Sequence, residues 1–254
     1  MTASNDSSLF APLSPLHKLD IMAIGVHPDD VELSCSGTLL KHMSLGKKCG
    51  ILDLTCGEMG TRGTGELRLK EAAESSKILG ITVRDNLKMQ DAFFKNDKES
   101  LLAIIKKIRE YQPEIVLCNA TSDRHPDHGR AAQMVVEACF YSGLVKYETA
   151  YDGFKQQAWR PKAVYHYIQD RQFKADFVVD VTAFVEKKMQ AIQAFKSQFY
   201  DPNSNEPESP ITVKNFLEVL KGKMSLFGRE AGFDYAEGFT VERNIGVENI
   251  FDLK

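Results

Sequence analysis

The chain has 254 residues, 43% of them hydrophobic and 26% charged, with a formal net charge of −3. That length buries one large core, and the balance is ordinary for a globular protein. The charge offers no broad basic footprint, which argues against nucleic acid or an anionic membrane as partner.

No apolar run approaches the length of a membrane span. Cys35, Cys49, Cys56, Cys118 and Cys139 are odd in number and include no C-x-x-C pair. That argues against a disulfide framework and a cysteine zinc site, and it suits a reducing, cytoplasmic setting. Residues 1–18 are rich in Ser, Pro and Leu but have neither a basic n-region nor an apolar h-region. They read as a poorly ordered arm rather than a signal peptide, ahead of a single domain over residues 19–254.

In chain order, residues 19–26 read as a short buried strand. Residues 31–45 have helix spacing through Leu33, Leu39, Leu40 and Met43, with Gly46 as the stop. A strand over 48–55 leads into the glycine-rich loop Gly57-Glu58-Met59-Gly60-Thr61-Arg62-Gly63. A helix over 67–79, a strand over 81–89 and a helix over 97–111 follow. Pro113 ends that helix, and a fourth strand spans 114–119. The next helix runs from about residue 129 to 141. This alternation is the pattern of a Rossmann-like, doubly wound α/β fold, a mostly parallel sheet with helices on both faces. Beyond residue 143, strands are expected over 163–169 and 176–181, a helix over 182–199, a polar loop over 200–210, a helix over 213–227 and then a tail containing glycine and aromatic residues.

Two clusters stand at strand-to-helix turns of this sheet. His27-Pro28-Asp29-Asp30 follows the first strand, and His125-Pro126-Asp127-His128 follows the fourth. In doubly wound sheets, ligands bind beyond the carboxyl ends of strands. Imidazole and carboxylate ligands suit Zn(II), and also Fe(II), Co(II) or Mn(II). His27, Asp30 and His128 can supply three ligands and leave a position open, which is the pattern of a catalytic metal site. Asp29 would then act as general base on a water. His125 would stabilise an oxyanion or protonate a leaving amine, and Asp127 would orient an imidazole. The bland alternative is that Asp29 or Asp30 caps a helix and that His125 and His128 lie in a solvated loop. Two such clusters on one sheet are harder to explain by capping.

The two clusters, the Gly57–Gly63 loop and Arg68-x-x-Glu71-Ala72 resemble the LmbE-like, or PIG-L, family of metal-dependent N-acetylglucosamine deacetylases. The resemblance spans roughly residues 19 to 245. Within it, Ser197-Gln198-Phe199-Tyr200-Asp201-Pro202 and Ala236-Glu237-Gly238-Phe239 resemble the bacillithiol-pathway enzymes that deacetylate N-acetylglucosaminyl-malate. The resemblance implies one divalent metal, Zn(II) or else Fe(II), on His27, Asp30 and His128. It implies Asp29 as base, His125 as acid or oxyanion stabiliser, and a substrate role for Arg68. A small-molecule glycoside is the expected substrate and a homo-oligomer the expected assembly. A bacillithiol S-conjugate amidase, a deacetylase of another acylated amino sugar and a non-catalytic sugar-binding module are the alternatives. Glu58 and Arg62 are candidate substrate contacts on the flexible loop, and each can equally be a solvated loop residue. Arg160 and Arg229 are candidates for a malate carboxylate, because guanidinium binds carboxylate bidentately. Tyr200 and the loop bearing Asn203 and Asn205 are candidates for a lid.

Overall fold

The computed structural model describes residues 18–253; the expected N-terminal arm lies, but for Lys18, outside the described residues. The elements in order are β1 (Ile21–Gly25), α1 (Asp30–Ser44), β2 (Cys49–Thr55), α2 (Gly65–Leu79), β3 (Val83–Met89), α3 (Lys98–Tyr111), β4 (Ile115–Cys118) and α4 (Pro126–Tyr141). A short hairpin of β5 (Ala150–Tyr151) and β6 (Phe154–Lys155) follows, then β7 (Ala163–Tyr167), β8 (Phe177–Asp180), α5 (Val185–Gln193), α6 (Phe216–Ala231) and β9 (Ala236–Val241).

Seven strands form one sheet in the order β3-β2-β1-β4-β7-β9-β8. β1 pairs in parallel with both β2 and β4, and β4 pairs in parallel with β7. The chain winds outward from β1 to β3, then returns to β4 on the other side of β1. The strand order therefore reverses between β1 and β4, and a crevice is expected beyond their carboxyl ends. Successive β1 residues serve opposite faces. Met22 and Ile24 join Ile104 and Ile108 of α3 and Met134 and Val135 of α4. Ile21 and Ala23 join Leu39 of α1, Leu79 of α2 and Ala191 of α5. Burial on both faces explains why these strands read as continuous apolar runs.

Three expectations are corrected. The helix expected over 182–199 ends at Gln193. Beyond it, Ser197 gives its backbone N–H and its hydroxyl to Glu71 at 2.8 and 2.7 Å, so tertiary bonds replace helical ones. α4 begins at Pro126 rather than near residue 129, because proline at a first helical position forfeits no hydrogen bond. The tail, for which the sequence predicts no strand, contains β9, which lies antiparallel between β7 and β8.

β9 also carries a strut for α1. The Glu237 carboxylate accepts from the backbone N–H groups of Gly37 and Thr38 at 2.9 and 2.7 Å. Lys188 Nζ of α5 reaches Glu237 at 2.6 Å and the Leu33 carbonyl at 2.8 Å. A Cβ at residue 37 would stand 2.8 Å from Glu237 Oε1 and 2.9 Å from Val181, which explains a glycine in mid-helix. Removing one member of a buried ion pair leaves the other uncompensated, at about 3–5 kcal/mol. Lys188→Met is therefore expected to destabilise the protein by about 3 kcal/mol or more in urea denaturation. A loss below about 1 kcal/mol would sink the strut reading.

Candidate metal and catalytic site

The turn after β1 is closed by its own aspartate. Asp30 Oδ2 accepts from the backbone N–H of Val26 at 3.0 Å and of His27 at 3.1 Å. Gly25 makes room, since a Cβ there would stand 3.0 Å from the Asp30 Cβ. Asp29 occupies the N-cap position of α1 but makes no side-chain cap bond. Its φ of 129° lies where non-glycine residues are rare, and such strain costs about 1–3 kcal/mol and clusters at functional sites. The carboxylate is turned to Arg68, whose Nη2 lies 3.3 Å from Asp29 Oδ2. The capping alternative thus fails for both aspartates: Asp29 caps nothing, and Asp30 serves the preceding turn.

The second cluster is built at the start of α4. His125 is its N-cap, and its Nδ1 accepts from the Asp127 N–H at 3.4 Å. His128 follows one turn later and is buried. The three imidazoles meet, with ring centroids 4.7 Å apart for His27 and His125, 5.2 Å for His125 and His128, and 5.8 Å for His27 and His128.

Each of two histidines has one nitrogen tied and one facing Asp30. His27 Nε2 hydrogen-bonds Asp91 Oδ1 at 3.0 Å, while Nδ1 lies 3.7 Å from Asp30 Oδ2. His128 Nδ1 hydrogen-bonds Asp123 Oδ2 at 2.6 Å, while Nε2 lies 3.2 Å from Asp30 Oδ1. The outer carboxylates set the tautomers, and the inner nitrogens point at one shared carboxylate. Asn119 Nδ2 and Gln169 Nε2 also donate to Asp30, at 2.9 and 3.2 Å. Donor atoms of His27, His125 and His128 lie within 4.8 Å of one another, as do those of His27, Asp91 and Asp127. This nitrogen and oxygen donor set fits a divalent transition metal.

The electrostatics agree. Burial disfavours a charged His27, yet Asp30 and Asp91 outweigh it and push the imidazole up to about 10. Burial likewise opposes charge on His128, and Asp30 and Asp123 raise it to about 9. Burial alone would raise Asp30, but His128 and His27 hold it well below the usual carboxylate range. Asp29 moves the other way: burial lifts it to about 6, against the pull of Arg68. His125 is lowered, by burial first and then by the positive His27 and His128.

One cavity of about 340 Å³ is lined by His27, Asp29, Asp30, Arg68, His125 and His128 together with Arg62. Several other expected residues are placed elsewhere. Asp127 is buried at 1% exposure and bonds Arg130 at 3.0 Å and the Ala92 N–H at 3.1 Å; its nearest carboxylate oxygen is 3.9 Å from His27 Nε2. Arg62 spends its guanidinium on the carbonyls of Phe199, Glu206 and Pro207, so it anchors the polar loop. Glu58 is exposed, accepts from the Asp91 N–H at 2.9 Å, and is not among the residues lining the cavity. Arg160 is not brought to the cleft. It donates to the Phe140 carbonyl at 3.0 Å and lies over the Phe140 ring. Arg229 is on an exposed position of α6. The cavity wall from the polar loop is made by Ser209 and Pro210, with Ile211 just beyond the loop, rather than by Tyr200, Asn203 or Asn205.

Sequence reasoning passed over Asp91, Asp123, Asn119 and Gln169. All four follow the carboxyl ends of β3, β4 or β7, the same edge of the parallel sheet as the two clusters. That position was a usable signal. Gln198 is marked in the sequence only as part of a stretch resembling a family; its role, accepting from Arg68 Nη2 and donating to the Arg62 carbonyl, exists only through tertiary folding.

A model of the family described as PIG-L, GlcNAc-PI de-N-acetylase, matches residues 22–139. The diacetylchitobiose deacetylase of Thermococcus kodakarensis is 28% identical over 247 residues, covering 92% of this chain and 86% of that protein. A probable N-acetyl-alpha-D-glucosaminyl L-malate deacetylase 2 of Bacillus anthracis is 26% identical over 197 residues, 70% of this chain and 81% of that one. Among solved structures, a conserved protein from Thermus thermophilus matches with a TM-score of 0.80 at 34% identity, covering 91% of this chain and 98% of that one.

A metal binds neutral imidazole, so it must displace the protons that His27 and His128 hold below about 10 and about 9. Zinc affinity is expected to rise, and proton release to accompany binding, between about pH 6 and about pH 8 in calorimetry. An affinity that stays level across that window contradicts the assignment. Asp123→Asn, which loosens the His128 tautomer, is expected to weaken zinc binding about 10- to 100-fold. Unchanged binding would remove Asp123 from that role.

Proposed function

The chain belongs to the PIG-L family of N-acetylglucosamine de-N-acetylases, and on that footing we propose that it hydrolyses the N-acetyl group of an N-acetylglucosamine glycoside with the help of one divalent metal. The observation that carries the reading is the convergence of His27 Nδ1 and His128 Nε2 on Asp30, with the uncapped carboxylate of Asp29 beside them. His27, Asp30 and His128 would hold the metal, with Zn(II) first by ligand type and Fe(II) second. When bound, the metal supplies Lewis acidity to the amide carbonyl and lowers the pKa of water.

The protein's own groups do the rest. Asp29, lifted to about 6, is ionised at neutral pH yet basic enough to accept a proton from the attacking water. Arg68 holds that carboxylate in place through the 3.3 Å ion pair. His125 has Nδ1 occupied as an acceptor and a lowered pKa, so it is neutral with a proton on Nε2. That N–H serves as a donor to the carbonyl oxygen as negative charge develops there. When the C–N bond breaks, the proton held by Asp29 passes to the leaving nitrogen. The products are acetate and a glucosamine amine.

Two aglycones find support in resemblance: malate, from the Bacillus anthracis relative, and a second amino sugar, from the Thermococcus kodakarensis relative. The two guanidinium groups expected to take a malate carboxylate, Arg160 and Arg229, are outside the cavity lining, whereas Arg124 is within it. Five free thiols support a reducing compartment, and no helix among the described residues is long and apolar enough to cross a membrane.

Acetate release is expected from the methyl glycoside of N-acetylglucosamine with metal-loaded protein. Asp29→Asn is expected to cut kcat by about 100- to 10,000-fold while the metal is retained. A variant within about threefold of the parent would end the role of Asp29 as base.

A further inference from the structure

The cavity that holds the His and Asp cluster has a second half of different chemistry. Besides the acids and imidazoles, its lining includes aliphatic and aromatic side chains: Met59 of the glycine-rich loop, Ile211 after the polar loop, and Phe216, Val219 and Leu220 of α6. The α6 residues recur at i, i+3 and i+4, with Lys223 at i+7, so one stripe of the helix faces the cavity. Phe216, Leu220 and Ile211 rest on a core of Ile192, Phe195 and Phe199, which fixes the wall. Val219 and Met59 do not belong to that core, and they stay 60% and 61% exposed. Apolar side chains exposed inside a cleft mark a surface that something apolar covers in use. A sugar ring presents mainly hydroxyls and an amide, which apolar side chains do not satisfy.

We propose that the substrate carries an apolar group on its glucosamine unit, seated against the α6 stripe and Met59 while the amide faces Asp29 and His125. The occupant is a part of the substrate, because the stripe and the reacting cluster line one continuous cavity. The inference rests on the deacetylase reading and deepens it. The group can be attached in two places, as a hydrophobic aglycone or as an acyl chain longer than acetyl, and both present the same chemistry to the wall.

Two substrate series separate the sources. In the first, N-acetylglucosamine carries methyl, butyl or octyl aglycones. In the second, the methyl glycoside carries N-acetyl, N-butanoyl or N-octanoyl groups. Burial of a methylene favours binding enough to raise kcat/KM about two- to fourfold per carbon until the wall is covered. A rise in the first series places the group on the aglycone, and a rise in the second places it on the acyl chain. Val219→Asn is expected to lower the octyl-to-methyl ratio of kcat/KM several-fold. Leu226→Asn, an exposed leucine of α6 outside the cavity, is expected to keep it.

Level rates in both series, with the short substrate still hydrolysed, would overturn the apolar subsite and leave the deacetylase reading intact. Hydrolysis of no member would fail the deacetylase reading instead. Calorimetric binding of octyl against methyl glucosaminide then decides the subsite alone: tighter octyl binding sustains it, and equal binding ends it.

Discussion

The carboxylate of Asp30 is the constraint on which the site depends. It closes the turn after β1 by accepting two backbone N–H groups, and it accepts side-chain amides from Asn119 beyond β4 and Gln169 beyond β7. It also faces His128 from α4. One side chain thus ties together the ends of three adjacent strands. In a low-dielectric interior a buried carboxylate is costly unless its lone pairs are met. Here those lone pairs are met by backbone and side-chain donors from around the ends of β1, β4 and β7.

A carboxylate at a helix start can hold position only as well as the helix does. α1 is therefore gripped twice more. Glu32, in its first turn, pairs with Arg84, which itself forks onto Asp53 at 2.8 and 3.0 Å. Farther along, Lys188 and Glu237 insert side-chain donors and acceptors at Leu33, Gly37 and Thr38. These ion pairs are largely buried, so their net contribution to stability is small or even adverse compared with apolar packing. What they supply is register: the helix cannot slide along its axis without unpairing a charge. The strained backbone at Asp29 is tolerable only in such a held frame.

Much of this was legible in the sequence. The apolar runs of β1, β2 and β4 and the periodicity of α1 and α3 report local spacing, and the alternation of strand and helix places both His clusters on one sheet edge. What escaped was decided at a distance. Glu71 stops the last turns expected of α5 by bonding Ser197. β9 is recognisable as a strand only through its partners β7 and β8. Arg62 looked like a substrate ligand because it is a cation on a glycine-rich loop, yet carbonyls from residues 199–207 claim it. Asp91 and Asp123 looked like ordinary loop acids, since nothing local distinguishes an aspartate that will meet an imidazole.

Those two aspartates also decide between donor sets. His27 belongs to two groupings, one with His125 and His128 and one with Asp91 and Asp127. A metal in the second would need His27 Nε2, which already meets Asp91 at 3.0 Å, and the Asp127 carboxylate, which is engaged by Arg130 and the Ala92 N–H. Binding there breaks bonds that are buried and charge-assisted. With Nε2 tied to Asp91, the nitrogen that remains is Nδ1, and it faces Asp30. The same logic applied to His128 leaves Nε2, which faces the other oxygen of Asp30. In the proposed site the outer acids would therefore select the inner ligands, through the two nitrogens of each imidazole rather than through the spacing of the motif.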